Sequence, residues 1–132
     1  MLRFRLDTKS GVPPYMQLVQ QVTHALRMGR LDVGDQLPTV KEVVASIAIN
    51  PNTVLKAYRE LEHAGYVEGR QGIGTFVVRQ PPGPSASTHA ALFRSLHRWV
   101  DKARSAGLDE ESIEALIRSA LQTRDERGEN TA

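Results

Sequence analysis

Asn52, Lys56, Arg59 and His63 recur at intervals of three or four in a stretch that also carries Val54, Ala57, Tyr58 and Leu61. At 100° per residue the apolar set forms one side of a helix and the polar, mostly cationic set the other. The chemistry this offers is recognition, not bond making. An Asn amide matches the donor and acceptor of an adenine edge, Lys donates to guanine or phosphate, and Thr53 with the amides of a helix N-terminus can hold a phosphate. No catalytic signature accompanies the set. Gly69, Gly72 and Gly74 lie between two strand-like runs with no Lys-Ser/Thr after them, which excludes a nucleotide-binding loop. His24, His63, His89 and His97 show no ligand spacing with carboxylates and the chain has no Cys, so no metal or other cofactor is expected. There is no nucleophile elbow, and 132 residues leave little material for a substrate cleft, so the chain is read as not an enzyme.

The elements that must position these residues carry their own punctuation. Pro13-Pro14 opens a first helix whose apolar face is Tyr15, Leu18, Val19, Val22 and Leu26, and Gly29 ends it. Thr39-Val-Lys-Glu42 has the capping-box form, and Val40, Val43, Val44 and Ile47 give a short second helix its buried side. Asn50-Pro51 repeats the start signal for the third helix, which Gly65 closes. Tyr66 to Glu68 and Thr75 to Val78 are β-prone runs around a glycine-rich tip. The order helix, helix, helix, strand, strand with a tight turn before the third helix is a helix-turn-helix with a wing. The fold class is mainly α (α+β), a winged helix-turn-helix followed by a two-helix hairpin.

Gln80 to Thr88 holds three Pro, a Gly and three Ser/Thr and reads as a linker. The predicted organisation is therefore a winged domain over 1–79, a linker over 80–88, a helical region over 89–124 and a disordered tail over 125–132. Leu92, Phe93, Leu96, Trp99 and Val100 form one apolar stripe of the hairpin; Ile113, Leu116, Ile117 and Leu121 form the other, after an Asp109 cap. This is more apolar surface than a short hairpin can cover by itself. A second subunit, giving a homodimer with a four-helix cluster, is the expected cover; packing back onto the first helix is the other way to bury it. No group of polar residues on these stripes marks a pocket, so no small-molecule effector is identified.

The residues of the first domain closely resemble the winged domain of GntR-family bacterial transcription regulators. The matching text is Pro14-Tyr15-x-Gln17-Leu18, then Gly29-x-Leu31-x-x-Gly34-Asp35-x-Leu37-Pro38-Thr39. It continues with Asn50-Pro51-Asn52-Thr53-Val54-x-Lys56-Ala57-Tyr58-x-x-Leu61-Glu62 and Gly72-x-Gly74-Thr75-Phe76-Val77. The Asn50 to Val54 wording and the short tail are similar to the YtrA subfamily, which carries a two-helix dimerisation region. The resemblance implies that Thr39 and the basic residue two beyond it contact phosphate or base, that the start of the third helix enters the major groove, and that the wing approaches the minor groove. In place of the family's usual Arg in the second helix this chain has Lys41, which keeps the charge without the bidentate fork, and the frequent Arg at the position of Pro51 is absent.

The DNA-binding set is thus Asn50, Asn52, Thr53, Lys56 and Arg59 for recognition, Thr39, Lys41 and Arg70 nearer phosphate or groove edges, and Gly72, Gly74 and Thr75 in the wing. The partner is double-stranded DNA with an inverted-repeat operator, and the function is transcription regulation, as a homodimeric repressor. The alternative is a winged-helix adaptor that binds protein without specific DNA binding. Charge agrees with a division of labour: residues 1–79 carry 10 Lys/Arg against 7 Asp/Glu, and residues 80–132 carry 7 against 8. No run of 18 apolar residues and no apolar leader region occurs, so no membrane partner and a cytoplasmic location are expected.

Overall fold

The computed structural model describes the backbone of residues 2–130 and the side chains of residues 2–123. The elements are α1 (Pro14–Arg27), α2 (Val40–Ile47), α3 (Pro51–His63), β1 (Val67–Arg70), β2 (Gly74–Val77), α4 (Ala86–Ser105) and α5 (Glu110–Asn130). They fall into two compact units, Met1–Ala90 and Ala91–Ala132, with α4 crossing the boundary. The mainly α winged architecture expected from the sequence is the one observed.

In the first unit α3 packs against both α1 and α2. Leu18, Val22 and Leu26 of α1, Val43 of α2, and Val54, Ala57, Tyr58 and Leu61 of α3 meet in one aliphatic core, closed by Val67 and Val77 of the strands. Pro at the start of α1 and of α3 costs nothing, because the first amides of a helix lack intrahelical acceptors. Thr39 caps α2 with the reciprocal bonds of a capping box. Ala48 then takes the left-handed conformation at φ 51°, the single non-Gly residue to do so among those described, and this reverses the chain so that Ile49 is buried and α3 can start.

Residues 2–12, given no role by the sequence reading, are fastened to α1 by two glutamines. The Gln17 side chain, 8% exposed, accepts from the Asp7 amide at 2.9 Å and donates to the Asp7 and Val12 carbonyls at 3.1 and 2.9 Å. Gln21 accepts from the Arg5 amide at 2.9 Å and donates to the Arg5 carbonyl at 2.6 Å. A buried amide needs such partners, and meeting that need here delivers Phe4 to the core.

The strands are antiparallel, with Val67 opposite Val77 and Arg70 opposite Gly74. They are shifted from the expected runs by one residue or more because Tyr66 still closes the end of α3, its amide donating to the Leu61 carbonyl at 3.1 Å. The outer edge of β2 is also paired: the Gly34 amide donates to Val77, Val77 to Asp35 and Leu37 to Thr75, at 2.8, 2.8 and 2.9 Å. Sequence pattern gives no strand signal here, since Gly34 and Pro38 mask the pairing.

Helix α4 starts at Ala86, inside the segment expected to be linker. Ser85 receives the Thr88 amide on its hydroxyl at 3.3 Å and the His89 amide on its carbonyl at 3.1 Å, so Ala86, Ser87 and Thr88 are helical. Gly107, at φ 98°, ends the turn after α4, and Asp109 caps α5 by accepting the Ser112 amide at 2.8 Å, a bond that holds its carboxyl below the usual range. Ala103 and Ile113 are buried. The tail expected to be disordered over 125–132 is helical in its backbone as far as Asn130, having no Pro to break it; residues 131 and 132 lie outside those described.

Candidate nucleic-acid interface

Three side chains lock α2, α3 and the wing together. The Tyr58 hydroxyl, buried on α3, donates to the Pro38 carbonyl at 2.6 Å, at the entrance to α2. Burial first, and the nearby Glu42 carboxylate second, push its ionisation far up, so the phenol stays a donor. Glu62 accepts the Gly69 amide at 3.0 Å, tying α3 to β1. Arg79 donates to the Ala64 carbonyl at 2.7 Å, at the C-terminus of α3, while its guanidinium lies over the Tyr66 ring at 5.2 Å.

These ties create an open groove of about 250 Å³ whose walls include Thr39 and Val40 of α2, Leu55, Tyr58, Arg59 and Glu62 of α3, and Gly74 and Thr75 of β2. A second, shallower hollow joins Thr39 to Arg70, Gly72, Gly74 and Thr75 along the wing. Thr39, Arg59, Arg70, Gly72, Gly74 and Thr75 are therefore brought together around one corner of the unit. Gly74, at φ 144°, faces the Gln36 side-chain amide, which would have to swing aside for any side chain at this position.

The other expected residues take distinct places. Lys41 is exposed on the first turn of α2, and Asn50 and Asn52 are exposed at the start of α3. Thr53 is half-buried on that same first turn. The amides there are already used: Pro51 has none, Asn52 donates to the Asn50 side chain at 2.8 Å and Thr53 to the Asn50 carbonyl at 3.0 Å. The tip of α3 thus presents side chains, and not the bare N–H groups the sequence reading assigned to a phosphate. Thr39 is likewise engaged, its hydroxyl donating to Glu42 at 3.0 Å. Lys56 is exposed, and its ammonium sits 4.0 Å from the Tyr15 ring centre, a cation–π contact between α3 and α1. Arg70 lies over Phe76 at 4.7 Å and stays exposed.

The sequence reading missed Leu55, which is exposed on the groove wall between Asn52 and Arg59 in the helical order. Its signal was present: an apolar residue 100° around from Val54 lies outside the buried stripe. Glu62 and Arg79 were also unassigned, because their partners are backbone groups that only the fold brings near. Among the described residues no group of three or more His, Cys, Asp or Glu could hold a metal ion. His24, on the last turn of α1, is held below the usual imidazole range by burial and by the charges of Arg30, Arg27 and His89. No helix among the described residues is long and apolar enough to cross a membrane.

Of the residues expected to assemble two copies, Leu92, Leu96, Trp99, Leu116 and Leu121 are exposed, at 38% or more. Phe93, Val100 and Ile117 are half-buried, and Phe93 meets His97 edge-on at 4.5 Å. Ile113 is instead buried within the single chain.

Residues 14–77 match the family described as "Bacterial regulatory proteins, gntR family". The chain is 41% identical over 104 residues to the HTH-type transcriptional regulator Rv1152 of Mycobacterium tuberculosis (strain ATCC 25618 / H37Rv), covering 79% of this chain and 82% of that one. It is 32% identical over 115 residues to the HTH-type transcriptional repressor YtrA of Bacillus subtilis (strain 168), covering 86% and 88%. Among solved structures, a transcriptional antiterminator from Listeria monocytogenes EGD-e superposes with a TM-score of 0.58 at 32% identity, covering 92% of each chain.

Proposed function

Because the chain belongs to the GntR family of bacterial regulatory proteins, with a YtrA repressor among its relatives, we propose that it acts as a homodimer that occludes a promoter by binding an inverted-repeat operator. It is a DNA-binding transcription regulator of winged helix-turn-helix type, not an enzyme. The observation that carries the finer reading is the single exposed corner where the start of α2, the outer side of α3 and the glycine wing converge. An exposed helix face with Asn50 and Asn52 at its start and Arg59 two turns on suits the major groove, where Asn and Arg side chains pair with base edges, while Lys41 and Arg70 are set at the margins for phosphates. Gly72 and Gly74 let the wing approach the minor groove closely.

The exposed apolar side chains of α4 and α5 support the dimer, since surfaces of this kind mark interaction sites. Two recognition helices related by a two-fold axis require a two-fold operator. A regulator of this type works on the chromosome, hence in the cytoplasm. The testing experiment is a gel shift on the DNA upstream of the protein's own gene. Wild type is expected to retain that DNA specifically, with Asn52→Ala plus Arg59→Ala weakening retention at least tenfold, the scale of one lost bidentate base contact. Undiminished retention by the double variant overturns the recognition surface; an adaptor would give no specific retention with either protein.

A further inference from the structure

Leu55 is 44% exposed in the middle of the helix that carries Asn52 and Arg59. The three stand at i, i+3 and i+7 and so form one stripe along α3. The exposed large apolar side chains of the first unit also include Val33, Ile73 and Val78, which lie in loops or at the strands' ends. Leu55 alone among these sits on the recognition helix, on the wall of the groove shared by Thr39, Arg59 and Thr75. Nothing about α3 itself requires Leu here. The core face is complete with Val54, Ala57, Tyr58 and Leu61, and a polar residue of equal helix propensity, such as Gln or Lys, would serve a solvated position.

Lys56, the neighbouring residue, lies beside this stripe with its ammonium over the Tyr15 ring of α1. What faces outward is an amide, an isobutyl group and a guanidinium in succession. In the major groove the base edges are hydrogen-bonding atoms with one apolar exception, the C5 methyl of thymine. An exposed aliphatic side chain between two hydrogen-bonding ones therefore has one complementary feature to meet.

We propose that Leu55 is a specificity-determining residue that reads the C5 methyl of a thymine in each half of the operator. The inference rests on the assignment of α3 as the recognition helix. It separates this chain's preference from that of any regulator with a cation at the same place, since a cation selects guanine or phosphate and is indifferent to the methyl.

The experiment uses the full chain. Sites are first selected from a random-sequence duplex pool, and each thymine of the preferred site is then replaced in turn by deoxyuridine, which removes the methyl and keeps the pairing. Burying one methyl against an aliphatic side chain is worth roughly a three- to fivefold change in affinity. Wild type is expected to lose that factor at one thymine per half-site, and Leu55→Ala is expected to bind the thymine and deoxyuridine forms equally, because the two changes remove the same contact. Wild type tolerating deoxyuridine at every position overturns the proposal, as does a deoxyuridine penalty of unchanged size in Leu55→Ala. The scan on wild type needs no variant, so it decides the matter even if Leu55→Ala folds poorly. Failure of wild type to enrich any sequence overturns the recognition-helix assignment itself, and the proposal with it.

Discussion

Tyr58 is the residue on which the helix pair turns. Its ring belongs to the core and its hydroxyl reaches the Pro38 carbonyl, so one side chain sets the spacing between α3 and the start of α2. Tyr58→Phe leaves that carbonyl without its partner and is expected to cost about 1–2 kcal/mol, measured by urea unfolding. The pH dependence follows from the raised ionisation. A phenol that ionises higher in the folded than in the unfolded state contributes stability that is complete below the unfolded value, about 10, and is lost as pH rises beyond it. Wild type should therefore lose more stability than Tyr58→Phe between roughly pH 10 and 12; equal slopes would count against the phenol's role. Lys56 teaches the complementary lesson. Its place on a helical wheel predicts a DNA ligand; the fold adds a cation–π contact with Tyr15 that links α3 to α1 and leaves the residue exposed.

At the scale of elements, the wing depends on a strand paired on both edges. β2 bonds to β1 on one side and to residues 34–37 on the other, which fixes the hairpin relative to the entrance of α2. Gly74 lies at the seam, with φ 144° and the Gln36 amide against the place of a side chain. Gly74→Ala is expected to cost about 1–3 kcal/mol in a thermal or urea melt, from a backbone conformation that only glycine adopts readily. Gly72→Ala meets open space at φ 75° and should cost less, about 1–2 kcal/mol. The reverse order would mean that the wing is not held by its β2 edge. Helix α2 shows how little an element needs: eight residues, one capping box and a left-handed Ala48 suffice to present Thr39 and Lys41.

For the whole molecule, the first unit is basic and the second mildly acidic. A net charge of +2 says little, because affinity for a polyanion depends on the cations placed at the contact. Leu96→Glu with Leu116→Glu places charges on the apolar faces of α4 and α5, at positions that are exposed in one chain and so not needed to fold it. The double variant is expected to halve the mass seen by light scattering. Affinity for a two-half-site operator should drop more than tenfold while binding to a single half-site is unchanged. An unaltered mass would remove these faces from the interface.

Much of this was legible in the residues themselves. Pro14, Thr39, Asn50, Gly65, Gly107 and Asp109 announce where helices begin and end, since capping and backbone conformation are local properties of a few adjacent residues. Periodicity likewise gives the buried face of α3, and family resemblance the reading of the first unit. Only the tertiary structure decided which side chains meet across the fold. Lys56 and Tyr15 are 41 positions apart, Gln36 and Ile73 are 37 apart, and their meetings depend on packing that no local pattern encodes. The same holds for Phe4, carried to the core by two glutamines, and for the groove that Leu55 borders, which exists once α2, α3 and the wing are set around it. A helix face is a property of sequence; what stands opposite that face is a property of the fold.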